Sequence, residues 1–194
     1  MRTDWLRGDI LLNLDTEDDR EIGIGCAGGV DLSFRGTCNR VAGTEDHGVV
    51  VEVKGGSGGH SGMDIHKGLA NANKLLIRIL QEMSGHDEGT ELASLDGGGL
   101  RNAIPREAKA TLASSCTARE WADKLSDLTN AICAEYRTTD PDLSIQFHEV
   151  GAPAEVVSAD QAGSLLAALD ACPNGIDRMS PDIEGLVQTS NNLA

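Results

Sequence analysis

Three consecutive segments, HGVVVEVK, GGSGGHSG and NANKLL, at residues 47–54, 55–62 and 71–76, constrain the fold of this chain most strongly. The β-branched run predicts a strand, and the glycine-rich run predicts a bend that ends it. From Lys67 to Met83 the apolar residues follow the three- and four-residue spacing of an amphipathic helix. The chain therefore contains a strand, a bend and a helix in succession, with His60 presented in the bend.

The remaining elements suggest how this unit is completed. Residues 91–95 and 108–114 are expected to be paired strands, and residues 143–147 alternate apolar and polar side chains like a half-buried strand. A helix begins at Thr117, where TARE is a capping box, and another begins at Ser158, where SADQ is a second one. The order predicts an α/β two-layer sandwich, an antiparallel sheet with helices on one face, extended by a C-terminal helix and strand.

Composition excludes several function classes. Sixteen basic and 31 acidic residues give a net charge of -15, so neither nucleic acid nor an anionic membrane is an expected partner. No apolar run reaches the roughly 18 residues that span a bilayer, and the first residues lack a signal-peptide core, so a cytoplasmic location is expected. Five cysteines without CxxC spacing suit reduced, mostly buried thiols.

Near the beginning, the run DILLNL at residues 9–14 predicts a buried strand that ends in an acidic cluster, and residues 21–25 predict a second short strand. A carboxylate at a strand end, Asp15, suits a zinc or manganese ion. The cluster equally suits a solvated acidic turn.

Two histidines lie in or near the bend. His60 is either an exposed side chain without a role or a donor to a developing oxyanion. His60 and His66 together do not form a recognised metal spacing. A glycine-rich bend before a helix also suits a phosphate, but the known phosphate-binding motifs are absent from the sequence.

Two further segments carry polar candidates. In GGGLRNAIPRE, at residues 97–107, Asn102 suits either an ordinary turn or a ligand contact. Arg178 has the planar guanidinium that binds a carboxylate through two oxygens, but its neighbours Asp177 and Asp182 also suit a surface ion pair.

The runs GGHSGMDIH with NANKLL, NLDTED before GCAGG, and GGGLRNAIPRE closely resemble the lid domain of aminoacyl-histidine dipeptidases. These enzymes are the bacterial carnosinase-like branch of the zinc-dependent aminopeptidase and carboxypeptidase superfamily. The resemblance implies that residues 1–20 are the end of a catalytic-domain strand and that residues 21–194 are the lid domain. It also implies a hydrolase with a two-zinc centre.

The resemblance implies roles for four residues. His60 would be catalytic and would stabilise the tetrahedral intermediate, and Asp15 would be a metal ligand. Asn102 and Arg178 would bind the substrate, with Arg178 on its terminal carboxylate and Arg101 as the second candidate for that contact.

The other metal ligands and the general base of the family, in an HxD segment, a glutamate pair and a distant histidine, do not occur in this sequence. The chain alone is therefore expected to be inactive, with a dipeptide substrate, the missing catalytic-domain segments and a second copy of the chain as partners. The alternative is a non-catalytic binding or oligomerisation module, in which the Lys67–Met83 helix pairs with a neighbour.

Overall fold

A computed structural model describes residues 8–10, 20, 27–86 and 89–194 of the chain. The chain divides into two compact units, Met1–Phe34 and Arg35–Ala194. Within the first unit, the residues that are described contain no helix or strand. The strands expected at residues 9–14 and 21–25 fall mostly outside the described residues, so the boundary between residues 1–20 and 21–194 stays a prediction.

The second unit is built on a four-stranded sheet with the strand order β4-β6-β2-β7, in which each neighbouring pair is antiparallel. The unit also contains three two-stranded ladders, β1-β8, β3-β5 and β9-β10. The strands are β1 Arg40–Ala42, β2 His47–Lys54, β3 Gly59–His60, β4 Glu91–Gly97, β5 Ala103–Ile104, β6 Ala108–Ser114, β7 Ser144–Val150, β8 Glu155–Val157, β9 Gly175–Met179 and β10 Val187–Asn191.

One hydrophobic core joins the sheet to the helices. The helices are α1 Ala72–His86, α2 Ala118–Lys124, α3 Ser126–Glu135 and α4 Ala159–Ala171, and a short 3-10 helix covers Ile65–Lys67. Alternate residues of β2 point into this core, as expected of a sheet covered on one face. The fully buried side chains include Val49, Val51, Val53, Leu76, Ile79, Met83 and Trp121. The predicted two-layer α/β fold with its antiparallel sheet is confirmed.

The first helix begins later than the sequence pattern indicated. It starts at Ala72 rather than at Lys67, because Gly68 adopts a left-handed conformation with φ +66° and ends the 3-10 helix. Asn71 then caps α1, since its Oδ1 accepts a hydrogen bond from the backbone N–H of Lys74 at 3.2 Å.

The two predicted capping boxes have different outcomes. At Thr117 both hydrogen bonds of the box are present, so that prediction is confirmed. The box at Ser158 is wrong, because the Ser158 side chain makes no capping hydrogen bond. The side chain of Gln161, which would complete the box, instead accepts a hydrogen bond from the backbone N–H of Asn39 at 2.6 Å.

The four described cysteines are reduced thiols, as expected, but they are less buried than predicted. Cys38 is exposed, and the other three, Cys116, Cys133 and Cys172, are half-buried.

Candidate functional site

The segment that connects β2 to α1, residues 55–71, is here called the His60 loop. Gly55 opens it with φ +82°, and it lies so close to the backbone carbonyl of Asp142 that a Cβ would collide with it. Gly58 has φ +63° and is covered by the side chain of Arg106. Only glycine fits both positions without strain, so the glycine-rich sequence produces a defined loop packed against its neighbours.

The central residues of the loop form a short ladder with β5. His60 pairs with Ala103, and the next backbone N–H, of Ser61, donates to the carbonyl oxygen of Asn102 at 2.9 Å. The structure therefore places two of the predicted site residues, His60 and Asn102, on adjoining backbone segments. Both residues are exposed.

The imidazole of His60 is fixed by its own loop. Its Nδ1 lies 3.0 Å from the backbone nitrogen of Gly62 and 3.1 Å from that of Met63, and both N–H groups point at it. A ring nitrogen that accepts N–H groups carries no proton, so the neutral ring has its proton on Nε2. Among the described residues, nothing bonds to this Nε2–H, which leaves it available as a donor.

Asp64 holds the backbone of His60. Its Oδ2 accepts the His60 backbone N–H at 2.7 Å, and its Oδ1 lies 2.7 Å from the Nζ of Lys67. The hydrogen bond from Lys67, followed by that from the His60 backbone, lowers the pKa of the Asp64 carboxyl below its usual value of 3.8. The folded loop therefore stabilises the deprotonated form of Asp64.

Asn102 lies in the turn between β4 and β5. The turn is closed by the backbone N–H of Ala103, which donates to the Leu100 carbonyl at 3.0 Å. The Asn102 carbonyl is used by Ser61, whereas no hydrogen bond to its side-chain amide is found within the described part of the chain. Its backbone thus fixes the position of an exposed amide.

Arg178 lies on β9, opposite Thr189 of β10. An ion pair between this arginine and Asp177 or Asp182 does not form in the described residues, and the Asp177 carboxylate instead accepts a hydrogen bond from the Thr189 hydroxyl at 2.9 Å. Strand β9 contacts the 3-10 helix Ile65–Lys67 of the His60 loop. The arginine is exposed, and its strand adjoins the second half of that loop.

Four asparagines, which we call the asparagine cluster, fasten the end of the chain to the His60 loop: Asn71, Asn73, Asn174 and Asn192. Asn71 Nδ2 lies 2.8 Å from Asn174 Oδ1 and 3.0 Å from the carbonyl oxygen of Leu193. Asn192 Nδ2 donates to the carbonyl of Ala103 at 2.8 Å. The sequence interpretation missed this cluster, although two of its members stand in the NAN of NANKLL.

A buried carboxylate, Asp140, was also missed. It is 1% exposed, and it accepts the backbone N–H of Ser57 at 2.7 Å and that of Ala70 at 2.9 Å. Its partners lie near the two ends of the His60 loop. The signal available in the sequence was an aspartate a few residues after the end of a helix, and that pattern is common on protein surfaces.

The structure does not test the predicted metal ligand, since Asp15 lies outside the described residues. Within the described ranges, no three or more His, Cys, Asp or Glu side chains form a group that could hold a metal ion. His66 is exposed on the 3-10 helix. The residues that are described therefore do not by themselves fit a zinc centre.

The N-terminus of α1 does not offer the phosphate site that a glycine-rich bend before a helix suggests. The N–H of Ala72 donates to the carbonyl of Pro105 at 3.1 Å, and that of Lys74 donates to Asn71. The glycine-rich run at residues 55–62 is separated from α1 by the 3-10 helix and by Gly68. These two N–H groups at the start of α1 therefore already have acceptors within the protein.

Comparison with known proteins finds a family that part of this architecture resembles. Residues 51–140 match the family model of the peptidase dimerisation domain. The matched range contains most of β2, the His60 loop, β4 to β6, and the helices up to Asp140. This part of the chain is therefore similar to a peptidase dimerisation domain.

Two dipeptidases are similar to the chain over nearly its whole length. The cytosol non-specific dipeptidase of Escherichia coli (strain K12) is 39% identical over 202 residues, which cover 100% of this chain and 40% of that protein. The crystal structure of aminoacylhistidine dipeptidase from Vibrio alginolyticus superimposes with a TM-score of 0.79 at 39% identity, covering 99% of this chain and 39% of that one. The resemblance to the central portion of a dipeptidase is confirmed, and the chain spans about two fifths of the length of these relatives.

Proposed function

We propose that this chain is the lid and substrate-binding portion of a metal-dependent dipeptidase that hydrolyses Xaa-His dipeptides, and that it is inactive without the catalytic domain. The observation that carries the proposal is the fixed imidazole of His60. Because its Nδ1 accepts two backbone N–H groups, the ring offers a preorganised Nε2–H donor. Preorganised donors stabilise the oxyanion that develops when a peptide carbonyl is attacked.

The surroundings of His60 support a site that another part of the enzyme covers. Met63 and Leu100 are 60% and 69% exposed, and they lie close in sequence to His60 and Asn102. Such exposed apolar side chains suit a contact with another protein segment. In the proposed enzyme, this face of the lid would lie against the catalytic domain and the dipeptide.

The other site residues would act through binding. The exposed Asn102 amide would contact the substrate, and the Arg178 guanidinium would bind its terminal carboxylate. Among the described residues, no ion pair occupies the Arg178 guanidinium. This favours Arg178 over Arg101 as the residue that binds the terminal carboxylate. These assignments, like that of His60, are proposals.

Zinc also belongs to the proposal. Asp15 would supply one ligand, and the other ligands would come from catalytic-domain segments that this sequence does not contain. The zinc would activate a water molecule in the complete enzyme. This chain's own contribution is to bind the substrate, to orient it and to donate the Nε2 proton of His60 in a hydrogen bond.

The test is a hybrid enzyme in which this chain replaces the aligned segment of the Escherichia coli dipeptidase. We expect His60→Ala to lower kcat for β-alanyl-histidine by about 10²–10³-fold, the usual effect of removing one oxyanion donor. His66→Ala is the matched control, since it removes an exposed histidine of the same loop, and it should leave kcat unchanged. A folded hybrid that hydrolyses the dipeptide equally well with and without the His60 imidazole would contradict the proposal.

A second candidate function, self-association, is favoured by the description of the matching family as a dimerisation domain. We expect a homodimer, which sedimentation equilibrium would detect, and a monomer at all accessible concentrations would rule it out. The contact would not be the apolar face of α1, because Leu76, Ile79 and Met83 are buried within the chain. The alternative of a module that pairs through the Lys67–Met83 helix is therefore less suitable than dimerisation through other surfaces.

A cytoplasmic location is likewise proposed. The Escherichia coli relative is described as a cytosol enzyme. None of the helices in the described residues is long and apolar enough to cross a membrane.

A further inference from the structure

The two ends of the His60 loop are tied to a single buried side chain. Ser57 and Ala70 each donate a backbone N–H to a different oxygen of Asp140, at 2.7 Å and 2.9 Å. The carboxylate is 1% exposed and lies 83 residues from the first partner and 70 from the second. Asp140 therefore binds both ends of the His60 loop, although it lies far from them in the sequence.

We propose that Asp140 is a positioning residue for His60, which fixes where the loop carries the imidazole without contacting the substrate. The proposal rests on the proposed role of His60. A buried carboxylate is unfavourable unless its oxygens accept hydrogen bonds, and here each oxygen accepts one. Hydrogen bonds to a charged acceptor are roughly twice as strong as those between neutral groups, so they favour one loop position over others.

Asp140 is itself held firmly by the structure that follows α3. Its backbone N–H donates to the Tyr136 carbonyl at 2.8 Å, and its carbonyl accepts the N–H of Leu143 at 3.0 Å. The hydroxyl of Ser57 adds a hydrogen bond to the carbonyl of Thr139 at 2.8 Å. The anchor thus belongs to the connection between α3 and β7 rather than to the His60 loop.

The loop contains two separate kinds of constraint. The bonds from Gly62 and Met63 to the His60 ring set its tautomer, whereas the bonds to Asp140 set the location of the whole loop. Weakening the second kind should displace an imidazole that is still correctly protonated. A displacement of about 1 Å at a reacting group lowers the rate by as much as 10²-fold.

Asp140→Asn is the variant of choice because it keeps the size and shape of the side chain. Its amide has one acceptor oxygen and one NH₂ group, so it can accept only one of the two N–H groups and opposes the other with a donor. Asp142→Asn is the matched control, two residues further along, since that side chain is exposed.

The kinetic test uses the hybrid enzyme. We expect Asp140→Asn to lower kcat by about 10²-fold with little change in KM, because an oxyanion donor acts in the transition state. In the His60→Ala background the same change should lower kcat by less than about twofold, since the two residues act through one group. An equal loss in both backgrounds would overturn the proposal, as would an equal loss with Asp142→Asn.

The structural test uses the full 194-residue chain and needs no activity, so it separates this proposal from the proposed function. In the unaltered chain, the amides of Ser57 and Ala70 should exchange slowly with solvent. In Asp140→Asn at least one should exchange faster, while the nitrogen chemical shifts of the His60 ring still report the Nε2–H tautomer. Rapid exchange of both amides in the unaltered chain would overturn the proposal even if the variant failed to fold.

If His60→Ala has no kinetic effect while the exchange results are as expected, the function proposed for His60 fails. The conclusion that Asp140 fixes the position of the loop is then retained. If His60→Ala has its effect but Asp140→Asn does not, the positioning role fails.

Discussion

Replacing Asn71 with alanine tests how the asparagine cluster supports the site. Asn71 is 3% exposed and has two functions at once. Its Oδ1 caps α1, and its Nδ2 donates to the end of the chain. The substitution removes both functions while leaving a residue that is fully compatible with the backbone.

The expected loss can be built from these contacts. Removal of a helix cap costs about 1 kcal/mol. The two N–H groups of Nδ2 contribute about 1 kcal/mol each as neutral hydrogen bonds. Asn174 Oδ1 keeps one partner after the change, the backbone N–H of Leu193 at 3.1 Å, so no large penalty for an unpaired acceptor is added. The free energy of unfolding should fall by about 3 kcal/mol.

Two further variants separate the contributions. Asn71→Ser retains an oxygen that can cap the helix but has no amide to reach the chain end, so it should cost about 2 kcal/mol. Thr117→Ala removes a helix cap elsewhere in the fold and should cost about 1 kcal/mol.

Urea unfolding of the chain at 25 °C, followed by the fluorescence of the buried Trp121, measures these differences. Unchanged m-values would show that the midpoints report stability alone. A loss below about 1 kcal/mol for Asn71→Ala, no greater than that of the Thr117 cap, would refute the reasoning. It would mean that the chain end is not held by this side chain.

Two other predictions concern the loop and the reaction. The lowered pKa of Asp64 means that its hydrogen bonds stabilise the loop above pH 3.8 and are lost as the pH falls through the lower folded value. The His60 amide resonance should therefore shift with a midpoint below pH 3.8, and a midpoint above it would contradict the assigned hydrogen bonds. The purified chain, supplied with zinc, should hydrolyse no β-alanyl-histidine; appreciable metal-dependent hydrolysis would refute the proposal that it needs a catalytic domain.

Much of the fold was predictable because the relevant interactions are local. The β-branched run gave a strand with the predicted bounds, His47–Lys54, and the TARE motif gave the predicted capping box at Thr117. The start of α1 was predicted five residues too early, because the apolar spacing continues through Gly68 while the backbone does not. The box at Ser158 failed because Gln161 found a partner at Asn39, far away in the sequence.

Part of the candidate site was also predictable, because its signal is local in the sequence. His60 stood out because glycines surround it in the sequence, and Asn102 and Arg178 were singled out by resemblance. The structure places His60 and Asn102 on neighbouring segments, while their roles, like that of Arg178, remain predictions. Asp15 lies outside the described residues.

The sequence by itself determined that a histidine would be presented between a strand and a helix, because periodicity and glycine content act over a few residues. Only the tertiary structure decided what holds that histidine. Asp140 reaches Ser57 across 83 residues, and Asn71 reaches Asn192 across 121. Such pairs leave no periodic pattern in a single sequence, since they form only when the packed core brings distant segments together.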